Sequence, residues 1–445
     1  MKKWMIRALS ALLIAAFLPL SVLADEYDLT QGSVTVSTTK GADGSTRQDV
    51  SHKGTTKPDS NPTITSKGQQ TGNTITIKAD DGTTTNVTIK DTTISASSGN
   101  AAIKTEGKGN VNLNVEGTNN VTGSLRHAGV EKSNEGNLTI GSESGNGKLT
   151  ANGGKYGAGI GGGSFGSGND ITITGGEVTA NGGKNSAGIG GGDSGSGNDI
   201  TISGGEVTAN GGEFGAGIGG GFTGNGSDIT ISGGEVTANG GTNGAGIGGG
   251  VRASGRDITI SGDSQVKAAG GAGDSYDGCG AAIGNGGYNR MGERFDGSEI
   301  EPDTSRLYTT GKVERKRGDG TVLETIIGKV DPSAKSASSK EEADKREPLY
   351  RVLDLDGSSL KHQAQKADGV LALTAKADGA ILTGTLRALG YLQNQGIEKI
   401  AFTDGTHSAE LVLSELIAKG QPEDVYVLTL GAANTLTLNG ETIDF

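Results

Sequence analysis

The sequence predicts an all-β fold, a parallel β-helix in which each coil contains three short strands. Three observations predict it: a 29-residue repeat, an alternation of apolar and polar residues with period two, and glycine turns between the apolar segments. A constant period in this range is typical of stacked units, each too small to bury its own core. The repeat is clearest in four isoleucines spaced 29 residues apart, Ile160, Ile189, Ile218 and Ile247.

Within one repeat the apolar residues follow the period of a strand. In "DITI" the side chains of Ile171 and Ile173 point opposite to the polar ones, and in "EVTA" Val178 and Ala180 do the same. Burying about three Ile and one Val contributes roughly 1.5–3 kcal/mol for each side chain. Ordering the backbone costs roughly 1–2 kcal/mol for every residue of the coil. A single coil should therefore not fold without neighbours on both sides.

The third apolar segment of each repeat lies within a glycine motif. "GAGIGGG" at Gly157–Gly163 matches G-x-G-x-x-G, the pattern of loops that bind a dinucleotide pyrophosphate. Such a loop occurs once and opens a helix, whereas this motif returns at Gly215–Gly221 and Gly244–Gly250. We therefore interpret it as architecture: Ala158 and Ile160 face the core, and the glycines form corners where φ is positive.

The N-terminus predicts export. "MKKWMIR" is basic, "ALSALLIAAFLPL" is apolar, and small residues stand at Val22 and Ala24, so residues 1–24 are predicted to be a signal peptide cleaved before Asp25. We expect a secreted, extracellular protein without membrane insertion after cleavage, and retention at the cell surface is the alternative.

The single cysteine, Cys279, excludes an intramolecular disulfide framework.

The remaining chain divides by composition and spacing. Residues 25–66 are predicted to form a strand-containing cap and residues 67–300 a β-helix of about eight coils. Residues 301–330 are predicted to form a β-hairpin around Gly318-Asp319-Gly320, and residues 331–348 a charged linker rich in Ser and Ala. Residues 349–445 combine strand-like and helix-like segments, which predicts a small α+β domain.

Net charge limits the partners. The formal net charge is −12, and loss of Lys2, Lys3 and Arg7 with the signal peptide changes it to −15. An acidic chain is repelled by nucleic acid and by anionic membranes, so we expect neither as a partner.

Acidic residues recur once per repeat. Stacking in register would place them in rows, where neighbouring carboxylates about 4.8 Å apart repel by roughly 1 kcal/mol per pair in water. A solvated row is one interpretation, and a row that binds Ca²⁺ through carboxylate and backbone oxygens is the other. The candidate metal ligands are Asp170, Asp199, Asp228 and Asp257, and a second acidic row contains Glu177, Glu206 and Glu235.

Aromatic residues are rare in this chain, at 4% of all residues, yet several fall beside the glycine corners. Exposed rings at such corners are suited to stacking on sugar rings, and the alternative is that they fold over the solenoid flank as plugs. The candidate ligand-binding residues are Tyr156, Phe165, Phe214 and Phe222. A row of asparagines, by contrast, predicts a structural ladder of side-chain amides: Asn152, Asn181, Asn210 and Asn239.

Catalysis has little support in the sequence. Regular rows of identical residues differ from a unique active site, and the four histidines have no metal-binding spacing. A polysaccharide lyase would need a basic residue, and Arg252 and Arg256 are the only arginines in the regular coils. A hydrolase would need paired carboxylates at a defined separation. We predict no catalytic residues and no cofactor other than calcium.

The order of segments resembles a known group. "DLTQGSVTVS", "TITSKGQQTGNTITI", "GNVNLNVEGTNNVTG" and "GKLTANGGKYGAGIGGG" follow one another as in secreted carbohydrate-binding-domain proteins of anaerobic Gram-positive bacteria, over about Asp28–Gly287. The resemblance implies a right-handed parallel β-helix that binds an acidic polysaccharide and calcium without cleaving the chain. It gives no ligand residues by position, and it does not include the C-terminal domain.

The sequence thus predicts a secreted, non-catalytic protein that binds polysaccharide on the solenoid surface. A structural or adhesive surface spacer is the first alternative, in which the C-terminal domain would contact a cell-surface partner. A polysaccharide lyase or hydrolase is the second.

Overall fold

The computed structural model describes residues 25–41, 43–330, 350–356, 360, 362–367, 369–394, 397–421 and 424–443. The predicted signal peptide (1–24) and the predicted linker (331–348) lie outside the described residues. A 3-10 helix at Leu29–Gln31 is the only helical segment described within residues 25–330. No helix in the described ranges is long and apolar enough to cross a bilayer.

Three sheets form the sides of a parallel β-helix, as the repeat predicts. Sheet A has nine strands, all paired in parallel. Its strands are Glu26–Asp28, Thr63–Thr65, Thr84–Lys90, Asn110–Glu116, Leu138–Gly141, Ile171–Ile173, Gly197–Ile202, Gly226–Ile231 and Gly255–Ile260.

Sheet B has eleven strands and becomes very narrow in the regular coils, where each strand has two residues. Two antiparallel strands extend its N-terminal edge. Its strands are Val34–Lys40, Thr46–His52, Thr55–Pro58, Ile75–Ala79, Ile103–Gly107, Val130–Lys132, Ile160–Gly161, Ile189–Gly190, Ile218–Gly219, Ile247–Gly248 and Ile283–Gly284.

Sheet C has ten strands and is parallel except for its last pair. Its strands are Gln70–Thr71, Thr93–Ser95, Thr118–Thr122, Lys148–Asn152, Glu177–Asn181, Glu206–Asn210, Glu235–Asn239, Gln265–Ala269, Lys312–Lys316 and Ile326–Ile327.

The register places each repeat directly on its neighbour. Ile173 pairs with Ile202, and Ile202 pairs with Ile231, so identical residues form continuous inward-facing rows. All three side chains are fully buried, as are Ala158 and Ile160 of the glycine motif. The prediction that small apolar residues fill a shared narrow interior is confirmed.

The glycines of the motif are required for this stacking. Gly190 has a φ of 126°, and a Cβ at this residue would lie 2.1 Å from the carbonyl oxygen of Gly219 in the next coil. Gly161, Gly219 and Gly248 have the same geometry. A side chain would be excluded both by the backbone conformation and by the close approach of the neighbouring coil. No α-helix follows these glycines in the described residues 25–330, which confirms the architectural interpretation.

Parallel pairing extends beyond residues 67–300 at both ends. Glu26–Asp28 pairs with Thr63–Thr65, so the predicted cap already belongs to sheet A. At the other end Lys312–Lys316 pairs in parallel with Gln265–Ala269 and then in antiparallel with Ile326–Ile327. The hairpin around Gly318-Asp319-Gly320 therefore also serves as the last element of sheet C. The spacing of these strands is irregular, so a fixed period does not reveal them.

The described residues from 350 to 443 have their own core and combine strands with two helices, as an α+β domain does. The helices are Leu386–Asn394 and Leu413–Ile417. A five-stranded sheet contains Arg351–Leu353, Ala380–Thr385, Val425–Leu430, Thr435–Leu438 and Glu441–Thr442. A four-stranded sheet contains His362–Ala367, Val370–Ala375, Lys399–Thr403 and Ser408–Val412. Their buried residues form a cluster separate from that of the solenoid.

Candidate functional site

The predicted aspartate row exists, and its backbone has an unusual conformation. Asp199 has a φ of 53°, in the left-handed region, and Asp170, Asp228 and Asp257 have nearly the same value. In sheet A, Asn198 and Ile200 pair with the next coil while Asp199 between them does not. Aspartate is one of the few side chains that tolerate this conformation. The row therefore has a local structural role that is independent of any ligand.

The electrostatics of the row are those of stacked like charges. Burial, followed by the charges of Asp170 and Asp228, raises the pKa of Asp199 above its ordinary value. Asp199, Asp228 and Asp257 line an open groove with Glu301 and Asp303 at the end of sheet A. In the described part of the chain, no three His, Cys, Asp or Glu side chains are close enough together to hold a metal ion. Calcium binding therefore stays a prediction.

The glutamate row is flanked by lysines. Lys148 contacts Glu177, and the ammonium of Lys267 lies 3.4 Å from Glu235. Each of these side chains is about half exposed, so the pairs have little energetic weight.

The predicted aromatic residues lie on one surface, which we call the turn ridge. It comprises residues 153–166 and the equivalent residues 182–195, 211–224 and 240–253. Because each strand of sheet B has only two residues here, the turns before and after it are close together. The backbone nitrogen of Asp193 donates to the carbonyl of Tyr156 at 3.1 Å, and that of Phe222 donates to Asn185 at 2.7 Å. Two turns of each coil thus form one continuous ridge along the stack.

The rings occupy different positions on this ridge. Phe214 and Phe222 come together edge to face, with ring centroids 6.0 Å apart, although they belong to opposite turns of one coil. Phe165 is 72% exposed. Within the repeat it occupies the position that follows that of Phe222, and the same position holds Ser194, Thr223 and Arg252 in the next three coils. Tyr156 is half-buried, shares a coil with Phe165 and lies two coils before Phe214 and Phe222. The ridge presents separate aromatic contacts along its length.

Cations accompany the rings. The ammonium of Lys155 lies 5.1 Å from the ring centroid of Tyr156, and that of Lys184 lies 5.7 Å from Phe214. A cation over an aromatic face is attracted by the ring quadrupole, and the pair offers both charge and a flat apolar surface. The turn ridge therefore combines aromatic rings with cations, although Lys184 also pairs with Glu213 at 3.1 Å and the ridge carries a second carboxylate at Asp193.

A segment that the sequence analysis missed continues this surface. Residues 272–279 and the hairpin of Tyr288–Arg290 with Glu293–Phe295, together the insertion lobe, interrupt the repeat after the last regular coil. The rings of Tyr288 and Phe295 stack with centroids 5.0 Å apart, and Tyr276 is 59% exposed. The only signal in the sequence is the break in periodicity, together with the aromatic residues in "SYDGCG" and "GYNRMGERF".

Arg252 connects the lobe to the turn ridge. Its guanidinium binds the carboxylate of Asp277 through two hydrogen bonds of 3.1 Å and lies 5.3 Å from the ring centroid of Tyr276. Its backbone nitrogen donates to Gly287, next to Tyr288, at 3.0 Å. Arg256 pairs with Asp257 at 2.7 Å. Both arginines considered for a lyase are thus engaged with carboxylates of the chain itself.

These features define the class of protein: the chain is a parallel β-helix protein built on a repeat. A family model described as "Beta helix repeat" matches residues 144–164, 171–193, 200–222 and 229–251. The matched segments are the regular coils that carry the turn ridge. A search of curated proteins gave no significant match, and a search of solved structures gave none.

Proposed function

We propose that this protein is an exported, non-catalytic carbohydrate-binding protein and that its turn ridge, continued by the insertion lobe, binds an acidic polysaccharide. The observation that carries the proposal is the series of exposed and half-buried rings along one ridge of the solenoid. Phe165 lies on the first regular coil, and the pair of Phe214 and Phe222 lies two coils later. The insertion lobe then adds Tyr276 and the stacked Tyr288 and Phe295.

The geometry suits a linear polymer. Coils of a β-helix lie about 4.8 Å apart, so rings on alternate coils repeat along the axis at about twice that distance. A polysaccharide lying parallel to the axis would meet a ring at several of its sugar units, with the apolar faces of the sugars on the aromatic faces.

The charges favour an acidic polymer over a neutral one. Lys155, Lys184 and Arg252 each lie over a ring of this surface, whereas the aspartate row faces a different side, on sheet A. At Lys155, a sugar carboxylate would meet a cation beside the ring of Tyr156. Lys184 and Arg252 would exchange Glu213 and Asp277, their partners in the structure, for the sugar carboxylate. The predicted signal peptide and the resemblance to secreted carbohydrate-binding proteins also support this proposal.

The test is a glycan array followed by affinity electrophoresis in polygalacturonate gels. We expect Phe165→Ala and Tyr276→Ala each to weaken binding about twofold to tenfold, the loss of one aromatic contact. Val322→Ala is the matched control, because Val322 is 73% exposed but lies outside the turn ridge and the lobe. Rising salt should weaken binding of polygalacturonate more than binding of a neutral glycan.

Two results would contradict the proposal. Absence of binding to every glycan would favour a structural or adhesive spacer, whose contacts the C-terminal domain would provide. Appearance of unsaturated or reducing ends during incubation with polygalacturonate would show that the protein is a polysaccharide-degrading enzyme.

A further inference from the structure

A buried carboxylate lies beside the residue predicted to become the N-terminus after export. Asp59 is only 5% exposed, and its Oδ2 atom lies 3.3 Å from the backbone nitrogen of Asp25. Its Oδ1 atom accepts a hydrogen bond from the backbone nitrogen of Asn61 at 3.0 Å. The backbone of Asp59 is itself fixed, since its nitrogen donates to Gln48 and its carbonyl accepts from the Gln48 amide.

No cation compensates the charge of this carboxylate in the part of the chain that the structure describes. The one side-chain contact in that part is the neutral Tyr27 hydroxyl, whose pKa burial and the Asp59 carboxylate both raise. No lysine, arginine or histidine forms a salt bridge with Asp59 there. His52 lies in the same cap, but its ring packs edge-on against Tyr27, with centroids 6.1 Å apart, and its Nε2 atom has no described hydrogen-bond partner. Burial of an unpaired ion is costly, so a cation at this place would stabilise the fold substantially.

Cleavage of the signal peptide would create that cation. Hydrolysis of the bond between Ala24 and Asp25 consumes one water, breaks the C–N bond, and leaves a carboxylate on Ala24 and an amine on Asp25. The amine keeps the proton released by the new carboxyl group and becomes an ammonium with three N–H donors. Before cleavage the same nitrogen is a neutral amide with a single N–H.

We infer that proteolytic processing completes the N-terminal cap, because the new α-ammonium of Asp25 forms an ion pair with the buried carboxylate of Asp59. This inference rests on the predicted cleavage site and is independent of carbohydrate binding. The pair would fasten the first strand of sheet A, since the carbonyl of Asp25 accepts from Thr63 at 3.0 Å and Glu26 pairs with Thr63. The unprocessed chain would have the same strand without this electrostatic contact.

The experiment compares two forms of the full exported chain, one beginning at Asp25 and one with a single glycine before Asp25. Each form is prepared with Asp59 and with Asp59→Asn, and mass spectrometry verifies the N-terminus. Hydrogen exchange is then followed in Glu26–Asp28 and Thr63–Thr65. We expect the added glycine to reduce protection about tenfold with Asp59 and less than twofold with Asp59→Asn, because a charged hydrogen bond is lost only in the first case.

Asp43→Asn is the matched control, since Asp43 lies in the same cap but is exposed and bonds only to Ser45 in the described structure. The added glycine should reduce protection in this variant as much as in the wild type. Acetylation of Asp25 removes the charge without lengthening the chain and should reproduce the effect of the glycine. An equal effect of the glycine with Asp59 and with Asp59→Asn would overturn the inference. So would an exported protein that begins at a residue other than Asp25.

Discussion

The carboxylate of Glu299 lies 2.7 Å from the backbone nitrogen of Ala282 and accepts its hydrogen bond, while its other oxygen accepts from Ile283 at 3.1 Å. In the preceding coils the equivalent nitrogens donate to carbonyls of the next coil, as Gly217 does to Ala245 and Ile218 to Gly246. Sheet B ends at Ile283–Gly284. The side chain of Glu299 thus replaces the missing coil.

Removal of this carboxylate should destabilise the C-terminal end of the solenoid. We expect Glu299→Ala to lower the free energy of unfolding by about 2 kcal/mol, because two nearly buried N–H groups lose their acceptors. Glu299→Gln keeps one acceptor oxygen and should cost about half as much. Urea unfolding measures both, and equal stability of the three proteins would show that water replaces the carboxylate without loss.

Alanine at a glycine corner beside sheet B should be far more damaging than alanine at a glycine in the turn between sheets A and C. We expect Gly190→Ala to cost about 3 kcal/mol or more, since its Cβ would overlap the carbonyl of Gly219 and its φ is positive. Gly175→Ala is the control, because the nearest atoms to a Cβ there lie 4.0 Å away. Thermal unfolding compares the two variants. Similar melting temperatures would contradict the close packing of the coils.

The predicted asparagine ladder is confirmed, and the contribution of its hydrogen bonds to the free energy of unfolding should be measurable. The amide of Asn210 donates to Asn181 and accepts from Asn239, both at 2.8 Å. Asn210→Ala removes two of these bonds and should cost about 2 kcal/mol, whereas Asn239→Ala removes one and should cost about 1 kcal/mol. Chemical denaturation gives both values. The ladder would have no energetic role if neither variant differed from the wild type.

Neutralising the aspartate row should stabilise the protein in calcium-free buffer. Asparagine tolerates the left-handed backbone, so Asp199→Asn/Asp228→Asn removes repulsion without strain and should add about 1 kcal/mol. The pKa of Asp199 is raised, which means that its ionised form is disfavoured in the folded state. The wild type should therefore gain stability as the pH falls through this raised pKa, and the advantage of the variant should disappear.

The same pair of proteins tests calcium binding by titration calorimetry. Heat on adding calcium to the wild type, absent in Asp199→Asn/Asp228→Asn, would establish a calcium row on sheet A. Equal and negligible heats of calcium addition in the wild type and in the variant would contradict calcium binding. The aspartate row would then have only its structural role.

Acid should weaken the C-terminal domain through Asp404. Burial opposes ionisation, but hydrogen bonds from His407, Thr406 and Gly379 prevail and lower the pKa of Asp404 to about 2. A lowered carboxyl pKa contributes stability that is complete above the unfolded value, near pH 4, and is lost as the pH falls towards 2. In Asp404→Asn this loss should be absent over that range. Asp378→Asn, at an exposed position, is the control, and circular dichroism during acid titration distinguishes them.

The repeat made the regular coils predictable in detail. Once the period was known, stacking required Ile171, Ile200 and Ile229 to form one inward row, and the structure has this register. The same argument predicted the structural role of the glycine motif. Because the motif returns in every coil, each copy lies against the next, and only glycine leaves room for that contact. A nucleotide loop has no such constraint.

The ends and the aromatic surface were less predictable. The first strand of sheet A and the pairing of Lys312–Lys316 have irregular spacing and so give no periodic signal. The approach of Phe214 to Phe222 depends on a strand of sheet B that is only two residues long. The insertion lobe has no counterpart in other coils.

By itself the sequence determined which side chains are inside the solenoid and which glycines are indispensable, because identical residues that stack on one another leave only one register. The tertiary structure alone decided what the unique residues contact: Phe222 with Phe214, Arg252 with Asp277, Glu299 with the last strand of sheet B, and Asp59 with Asp25. These contacts join segments far apart or on opposite turns, and their geometry depends on the path of the chain between them rather than on any repeated pattern.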